Sequence, residues 1–225
     1  MLAENAFLPI LLTLASYEVG RAIQRKTGNS LCNPILIGAI LTASMLLLLK
    51  IPVDAYQSGC APLQYLLTPA TICYALGLYE QLEKLKKQLG AVLAGILCGS
   101  IVSLLSIRAM AFMFSLDDVL TISLLPKSIT TAIGMVLSSE AGGIAALTTA
   151  AIVITGVLGN VFGESLCKLF RIHHPIAQGV AFGTASHAVG TSRAMELSQL
   201  TGAVSSLSLT VAGVITAVLF HFLIP

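Results

Sequence analysis

The chain has 225 residues, 56% hydrophobic and only 10% charged, with 12 Lys and Arg against 10 Asp and Glu for a net charge of +2. A soluble domain carries about 25% charged residues. So small a charged fraction, with a mean hydropathy of +0.93, excludes a disordered chain, a nucleic-acid binder that must neutralise phosphates and an ordinary cytosolic enzyme; the missing solvent is lipid, and 1–225 reads as one integral membrane domain.

A membrane-spanning helix needs about 20 mostly apolar residues. The start, Met1-Leu2-Ala3-Glu4-Asn5, has no basic region and does not read as a secretory signal. Residues 5–17 reach spanning length only with Glu4 and Glu18 at the two interfaces, and Arg21, Arg25 and Lys26 follow. Residues 31–49 form an apolar run closed by Lys50. Residues 55–79 are uncharged but contain Pro62 and Pro69, and Lys84, Lys86 and Lys87 follow. Residues 89–107 are an uninterrupted apolar run. Residues 119–139 carry Pro126 and Lys127 in their middle. Residues 141–163 are uninterrupted, with Lys168 and Arg171 beyond them. Residues 175–192 hold three glycines and His187, and 197–220 are again uninterrupted. The expected fold is therefore all-α: a polytopic transmembrane helical protein with interrupted segments. Backbone freed by Pro or Gly at membrane depth is tolerated only inside protein or against a water-filled cavity.

Ala75-Leu76-Gly77, Ala132-Ile133-Gly134 and Ala188-Val189-Gly190 share a pattern, each with a Glu (Glu83, Glu140, Glu196) six residues after its Gly. Their glycines are 57 and 56 residues apart, and an apolar run follows each copy, as in a duplication; shared Ala and Gly usage in membrane helices accounts for it equally well. Cytoplasmic loops are enriched in Lys and Arg. Placing all three basic clusters there, with Asp54 and the Asp117-Asp118 pair opposite, puts the N-terminus outside. Residues 119–139 and 175–192 must then both re-enter, from opposite faces, which is an inverted-repeat arrangement.

Lys127 is the most informative charge. An ionisable residue inside a membrane segment costs about 3 kcal/mol on insertion scales and marks function by default. With Pro126 in the first turn of a half-helix, Lys127, Ser128, Thr130 and Thr131 would lie at its positive end, where N–H groups, hydroxyls and an ammonium suit a carboxylate. The alternative is a lysine snorkelling to an interface. The second constellation is Gly183-Thr184-Ala185-Ser186-His187-Ala188-Val189-Gly190-Thr191. On a continuous helix Thr184, His187 and Thr191 share one face, beside a small-residue stripe of Gly183, Ser186 and Gly190. His187 reads as a substrate hydrogen-bond donor, a proton carrier or a structural histidine. Glu83, Glu140, Arg193 and Glu196 read as interfacial or loop charges. Gly95/Gly99, Gly159/Gly163 and Gly179/Gly183 are close-packing faces. The five cysteines (Cys32, Cys60, Cys73, Cys98, Cys167) show no metal or disulfide spacing, and no nucleophile or phosphate-loop motif is present. No catalytic residue, metal or cofactor is expected.

Leu125-Pro126-Lys127-Ser128-Ile129-Thr130-Thr131, Gly142-Gly143-Ile144, Thr155-Gly156-Val157-Leu158-Gly159 and above all Gly183–Thr191 resemble the LrgB/CidB family of bacterial inner-membrane proteins; Arg21, Asn33-Pro34, Pro69-Ala70 and Leu78-Tyr79-Glu80-Gln81 fit it too. The chain departs from the family's pattern at Gly77 and Ala132, where Pro is usual. The resemblance implies a multi-pass protein of the bacterial inner membrane, acting with a smaller LrgA/CidA-like, holin-like partner in a homo- or hetero-oligomer. It implies movement of small monocarboxylates of the pyruvate, glycolate and glycerate kind, as in related plastid translocators. Alternatively it implies an antiholin-like regulator of murein hydrolase activity and autolysis. Neither reading involves nucleic acid.

Overall fold

The computed structural model describes residues 7–27, 34–66, 69, 72, 79, 81, 83 and 86–224. Glu4, Asn5, Cys32, Asn33, Ala70, Cys73, the copy Ala75-Leu76-Gly77, Leu78, Glu80 and Lys84, which enter the sequence reading, lie outside them. Among the described residues all regular structure is helical. The chain divides into two compact units, Met1–Cys73 and Tyr74–Pro225.

In the first unit, α1 (Phe7–Thr27) and α2 (Pro34–Leu49) form an antiparallel pair. Gly20 lies against Pro34, and Gly38 lies against Ser16 and Tyr17. Two short helices follow, α3 (Val53–Gly59) and α4 (Ala61–Tyr65), the second with a Pro in its first turn. Gly59 packs on Pro9, and the Tyr56 hydroxyl is 2.7 Å from Thr13 Oγ1. The run expected at 5–17 thus belongs to a longer helix that continues through Arg21, Arg25 and Lys26, while 31–49 supplies a 16-residue apolar helix.

The second unit is built on three 25-residue helices, each long and apolar enough to cross a membrane: α5 (Leu89–Met113), α8 (Ala145–Leu169) and α10 (Gln199–Leu223). Between α5 and α8 lie α6 (Asp118–Leu124) and α7 (Thr131–Glu140). Between α8 and α10 lies α9 (Pro175–Leu197), whose backbone leaves helical geometry at Ser186 (φ −132°, ψ 15°) and His187 (φ 42°, ψ −141°).

Both interrupted segments are hairpins. In a continuous helix, residues eight apart are separated by about 12 Å along the axis. A Cβ at Gly134 would nevertheless lie 3.3 Å from the Pro126 carbonyl oxygen, and one at Gly190 only 3.1 Å from that of Phe182. Gly143 touches Ser123 and Ser138 at once, so the two arms of the first hairpin stand side by side. Phe182 and Ala194, on opposite arms of the second, share a buried cluster with Cys167.

The hairpins enter from opposite ends of the unit. At the first turn of α8, the Ile144 N–H donates to Ser123 Oγ (2.7 Å) and Thr148 Oγ1 donates to Ser138 Oγ (2.7 Å). Toward the other end of α8, Gly159 receives Ser186 and Gly163 receives Phe182. The tips converge on Ile152, whose side chain touches the Gly134 position and whose carbonyl accepts from His187. On α5 they converge between Gly99, against Thr184, and Ser103, against Ser128. The expected inverted arrangement is what the structure contains. Its two halves, α5 with the first hairpin and α8 with the second, begin 56 residues apart, at Leu89 and Ala145.

Lys86, Lys87, Lys168 and Arg171 consequently gather at one end of this unit and Asp117, Asp118 and Glu140 at the other. Single cysteines replacing Asp117 and Arg171 in a Cys-free background are expected to react with an impermeant thiol reagent from opposite sides of the membrane, Arg171→Cys from the cytoplasm by the basic-loop rule. Labelling of both from one side contradicts the paired re-entry. Gly159→Ala, whose new methyl collides with Ser186, is expected to lower stability in detergent by roughly 1–3 kcal/mol, the usual cost of overpacking, as read by thermal unfolding.

Candidate functional site

The first hairpin's tip brings a charge into the middle of the unit. The first arm closes at Leu125, and residues 126–130 turn through short-range bonds, Lys127 N–H to Leu124 O (3.2 Å) and Ile129 N–H to Pro126 O (3.4 Å). The return arm begins at Thr131, with Thr130 extended at its N-cap. Pro126 therefore ends the entering arm rather than opening a half-helix, and Lys127 and Ser128 precede the helix N-terminus instead of lying in its first turn. The reason is a missing donor: Pro cannot supply the N–H that would continue the first arm. The Thr130 side chain makes no capping bond, so the first N–H groups of α7 have no hydroxyl from the N-cap.

Lys127 Nζ donates to Ser128 Oγ at 3.0 Å, and Ser128 Oγ is 2.9 Å from Ser103 Oγ of α5. Among the described residues the acidic side chains form ion pairs with Arg21, Lys168 and Arg193, and none with Lys127. Lys127 lines a cavity of ≈ 620 Å³ together with Thr155, Gly159, Phe162 and Ser165 of α8 and Ala185 and Ser186 of the second hairpin. Pockets of roughly 300–1,000 Å³ are the size class that holds small ligands. The lining follows α8 from Thr155 to Leu169, so the cavity runs from the hairpin tips toward the basic end.

The second tip falls between the three residues that a local helix would align. The break at Ser186 and His187 turns the chain back, so Thr184, His187 and Thr191 do not share a face. Thr184, on the entering arm, donates to Val180 O (2.7 Å) and faces Gly99 of α5. Thr191, on the return arm, donates to His187 O (2.9 Å) and is 2.8 Å from Ser205 Oγ of α10. His187 is buried with its ring on Gly156, and its Nε2–H donates to Ile152 O at 2.8 Å. That bond fixes the ring and ties the tip to α8. His187 is not among the residues lining the cavity, whereas Ser186 is. Of the eight residues expected to form the site, Lys127 and Ser186 share the cavity. Ser128 positions Lys127, while Thr130 and Thr131 form the adjoining helix N-terminus. Thr184, His187 and Thr191 hold the second hairpin.

His187 has φ of 42°, left-handed backbone that costs of order 1–3 kcal/mol for a non-glycine residue. It is held there by neighbours that sequence reasoning missed. Asn160 Nδ2 donates to Val189 O (2.7 Å) and Ser192 Oγ (3.1 Å), satisfying a carbonyl of the return arm. Arg193 bridges Glu164 of α8 and Glu196 of its own arm, and Lys168 pairs with Glu164 at 2.7 Å. Arg193 thus ties the return arm to α8, and Glu196 braces it from its own arm; both lie on a helix rather than in a loop. The available signal was Asn160, an amide alone in an otherwise apolar run.

The chain belongs to the LrgB-like family, whose sequence pattern matches residues 13–225. Proteins named "Antiholin-like protein LrgB" from Bacillus mycoides (strain KBAB4), Bacillus cereus (strain B4264) and Bacillus anthracis (strain CDC 684 / NRRL 3495) are each 34% identical to it over 220 residues, covering 97% of this chain and 96% of the relative. No solved structure matches it. Family and spanning helices together make it a membrane protein.

His187→Ala removes the bond to Ile152 and is expected to cost about 2–4 kcal/mol of stability, from the lost hydrogen bond and a cavity in place of the ring. His187→Gln, which can still donate there, is expected to recover part of it. Thermal unfolding of both variants in detergent checks the order.

Proposed function

We propose that this chain is a multi-pass subunit of the bacterial inner membrane that moves small monocarboxylates of the pyruvate, glycolate or glycerate kind, together with a smaller holin-like membrane partner. The observation that carries the reading is Lys127: a cation at the meeting point of two re-entrant hairpins, beside a half-helix N-terminus, on a cavity, and without a carboxylate partner among the described residues. An ammonium at membrane depth is costly unless something compensates it. A substrate carboxylate at Lys127, with Ser186 and Thr155 as further hydrogen-bonding groups, supplies that compensation. Discontinuous helices meeting near the bilayer midplane are the recurring frame of transporter sites.

The cavity's lining runs along α8 toward the basic end, the cytoplasmic one by the basic-loop rule. Transport then requires the tips to present the same site to the other end. His187 and Asn160 act here as positioning residues that keep the second tip folded while the first carries the charge.

The name of these relatives favours a second reading, an antiholin-like regulator that acts on a pore-forming partner. Such a role makes no use of an unpaired lysine on a cavity. Uptake of labelled pyruvate and glycolate into vesicles holding this chain, with and without the partner, separates the two; absence of uptake in both preparations favours the regulator. In the same vesicles Lys127→Gln is expected to reduce uptake at least about 100-fold, the scale of losing a charge-assisted pair, with protein level and insertion unchanged. Lys127→Arg is expected to keep part of it, since charge remains and donor geometry changes. Full transport by the Gln variant removes Lys127 from the site.

A further inference from the structure

We propose a monovalent alkali-cation site, of the sodium class, between α5, the entering arm of the second hairpin and α10, with Ser100, Thr184 and Ser208 as oxygen ligands. These three elements run in the same direction from the basic end. One turn below the site they close on each other through apolar contacts: Ile96 and Val204 share a buried cluster against which Val180 packs. Four residues on from each of these three stands a hydroxyl, Ser100, Thr184 and Ser208. Close approaches place them at one level. A Cβ on Gly99, the residue before Ser100, would be 3.2 Å from Thr184 Oγ1, and one on Gly183, the residue before Thr184, would be 2.6 Å from Ser208 Cβ.

All three are buried, and Ser100, 2% exposed, has an Oγ with no hydrogen-bond partner. A buried hydroxyl left unpaired is destabilising, so it calls for a partner. Thr184 and Ser208 each spend their proton on their own helix, at Val180 O and Val204 O, both 2.7 Å, and so offer only lone pairs to it. The entering arm, residues 175–185, ends here at the break, adding its negative end and its released carbonyls. Neutral hard oxygens suit an alkali ion. Divalent ions draw on carboxylates and transition metals on His or Cys, and the described residues contain no cluster of such groups.

Lys127, Ser128 and Ser103 lie on the far side of this level, within a turn of Ser100 along α5. A cation and Lys127 repel each other, and an anion between them reverses the balance. On the reading of Lys127 as the carboxylate's partner, the ion and the carboxylate therefore bind cooperatively, and each raises the other's affinity by the same factor.

The test is thermal unfolding and ²²Na⁺ binding of the full chain in detergent, at one pH and ionic strength, in sodium chloride against choline chloride. Pyruvate binding is then measured in both salts. The expected result is a higher melting temperature in sodium, saturable ²²Na⁺ binding, loss of both in Ser100→Ala, and pyruvate affinity about tenfold higher in sodium. If Ser100→Ala does not fold in choline, Ser208→Ala carries the same comparison. Equal stability in the two salts with no ²²Na⁺ binding means that the three hydroxyls hold no ion and overturns the proposal. A sodium effect undiminished by both substitutions places the ion elsewhere and overturns it too. Sodium binding that depends on Ser100, with no pyruvate binding in either salt, upholds the ion site and removes the carboxylate reading instead.

Discussion

Every peptide group that the two hairpins expose at their tips must be satisfied without water, and the rest of the second unit is arranged around that demand. An unpaired backbone group in hydrocarbon costs several kcal/mol, so a broken helix survives at membrane depth only where protein closes over it. The closure comes from α8. Gly156, Gly159 and Gly163 present a face without side chains, and His187, Ser186 and Phe182 sit directly on it. The same helix then supplies the polar groups: Ile152 takes the His187 proton, and Asn160 donates to Val189. At the other end of α8 the first turn does this for the first hairpin, through Ile144 and Thr148. The two hairpins are therefore parts of one structure, because a single helix holds both.

That arrangement also explains why a lysine is tolerated where one lies. Lys127 is in the turn between two arms, where neither arm's hydrogen-bond ladder has room for it, and Ser128 and Ser103 hold its ammonium in a fixed place. The many buried hydroxyls nearby mostly serve their own helices, as Thr184, Thr191, Ser206 and Ser208 do by donating to carbonyls four residues back. They soften the interior without neutralising it. The unit thus keeps one full charge at its centre and surrounds it with dipoles, which is a poor way to gain stability and a good way to bind an anion.

Much of this was legible in the sequence, because the signals were local. Pro126 beside Lys127 and the glycines of 175–192 marked both interruptions, and the basic clusters placed them on opposite faces. The Ala-x-Gly copies at 132 and 188 proved to be equivalent points, each one step into a return arm, with Gly134 and Gly190 resting on a carbonyl eight residues earlier. What failed was local as well. Neither Ser186 nor His187 is a helix breaker, so the sequence marked an interruption within the segment without placing it at these two residues, and Thr184, His187 and Thr191 aligned on a local helix. The break there is imposed by tertiary contact, since only the glycine face of α8 and the bond to Ile152 make φ of 42° at His187 worth its cost. The Arg193–Glu164 tie was not legible for a similar reason: the two are 29 residues apart and adjacent only once the hairpin folds back.

The two halves are related by 56 residues, yet their tips are not interchangeable, and electrostatics accounts for the difference. At that offset Lys127 corresponds to Gly183, Ser128 to Thr184 and Thr131 to His187. A lysine at both tips would set two ammonium groups face to face near Ile152. At a separation of about 6 Å and an effective dielectric of about 20, their repulsion is about 3 kcal/mol, before either charge is desolvated. One tip can therefore carry the charge only if the other gives it up. The second hairpin has packing in its place: a glycine that admits α10, a threonine seated on Gly99 of α5 and a histidine anchored to α8. The inverted pair thereby shows a division of labour, with one hairpin supplying the charge and the other, together with α8, lining the cavity in which that charge is presented.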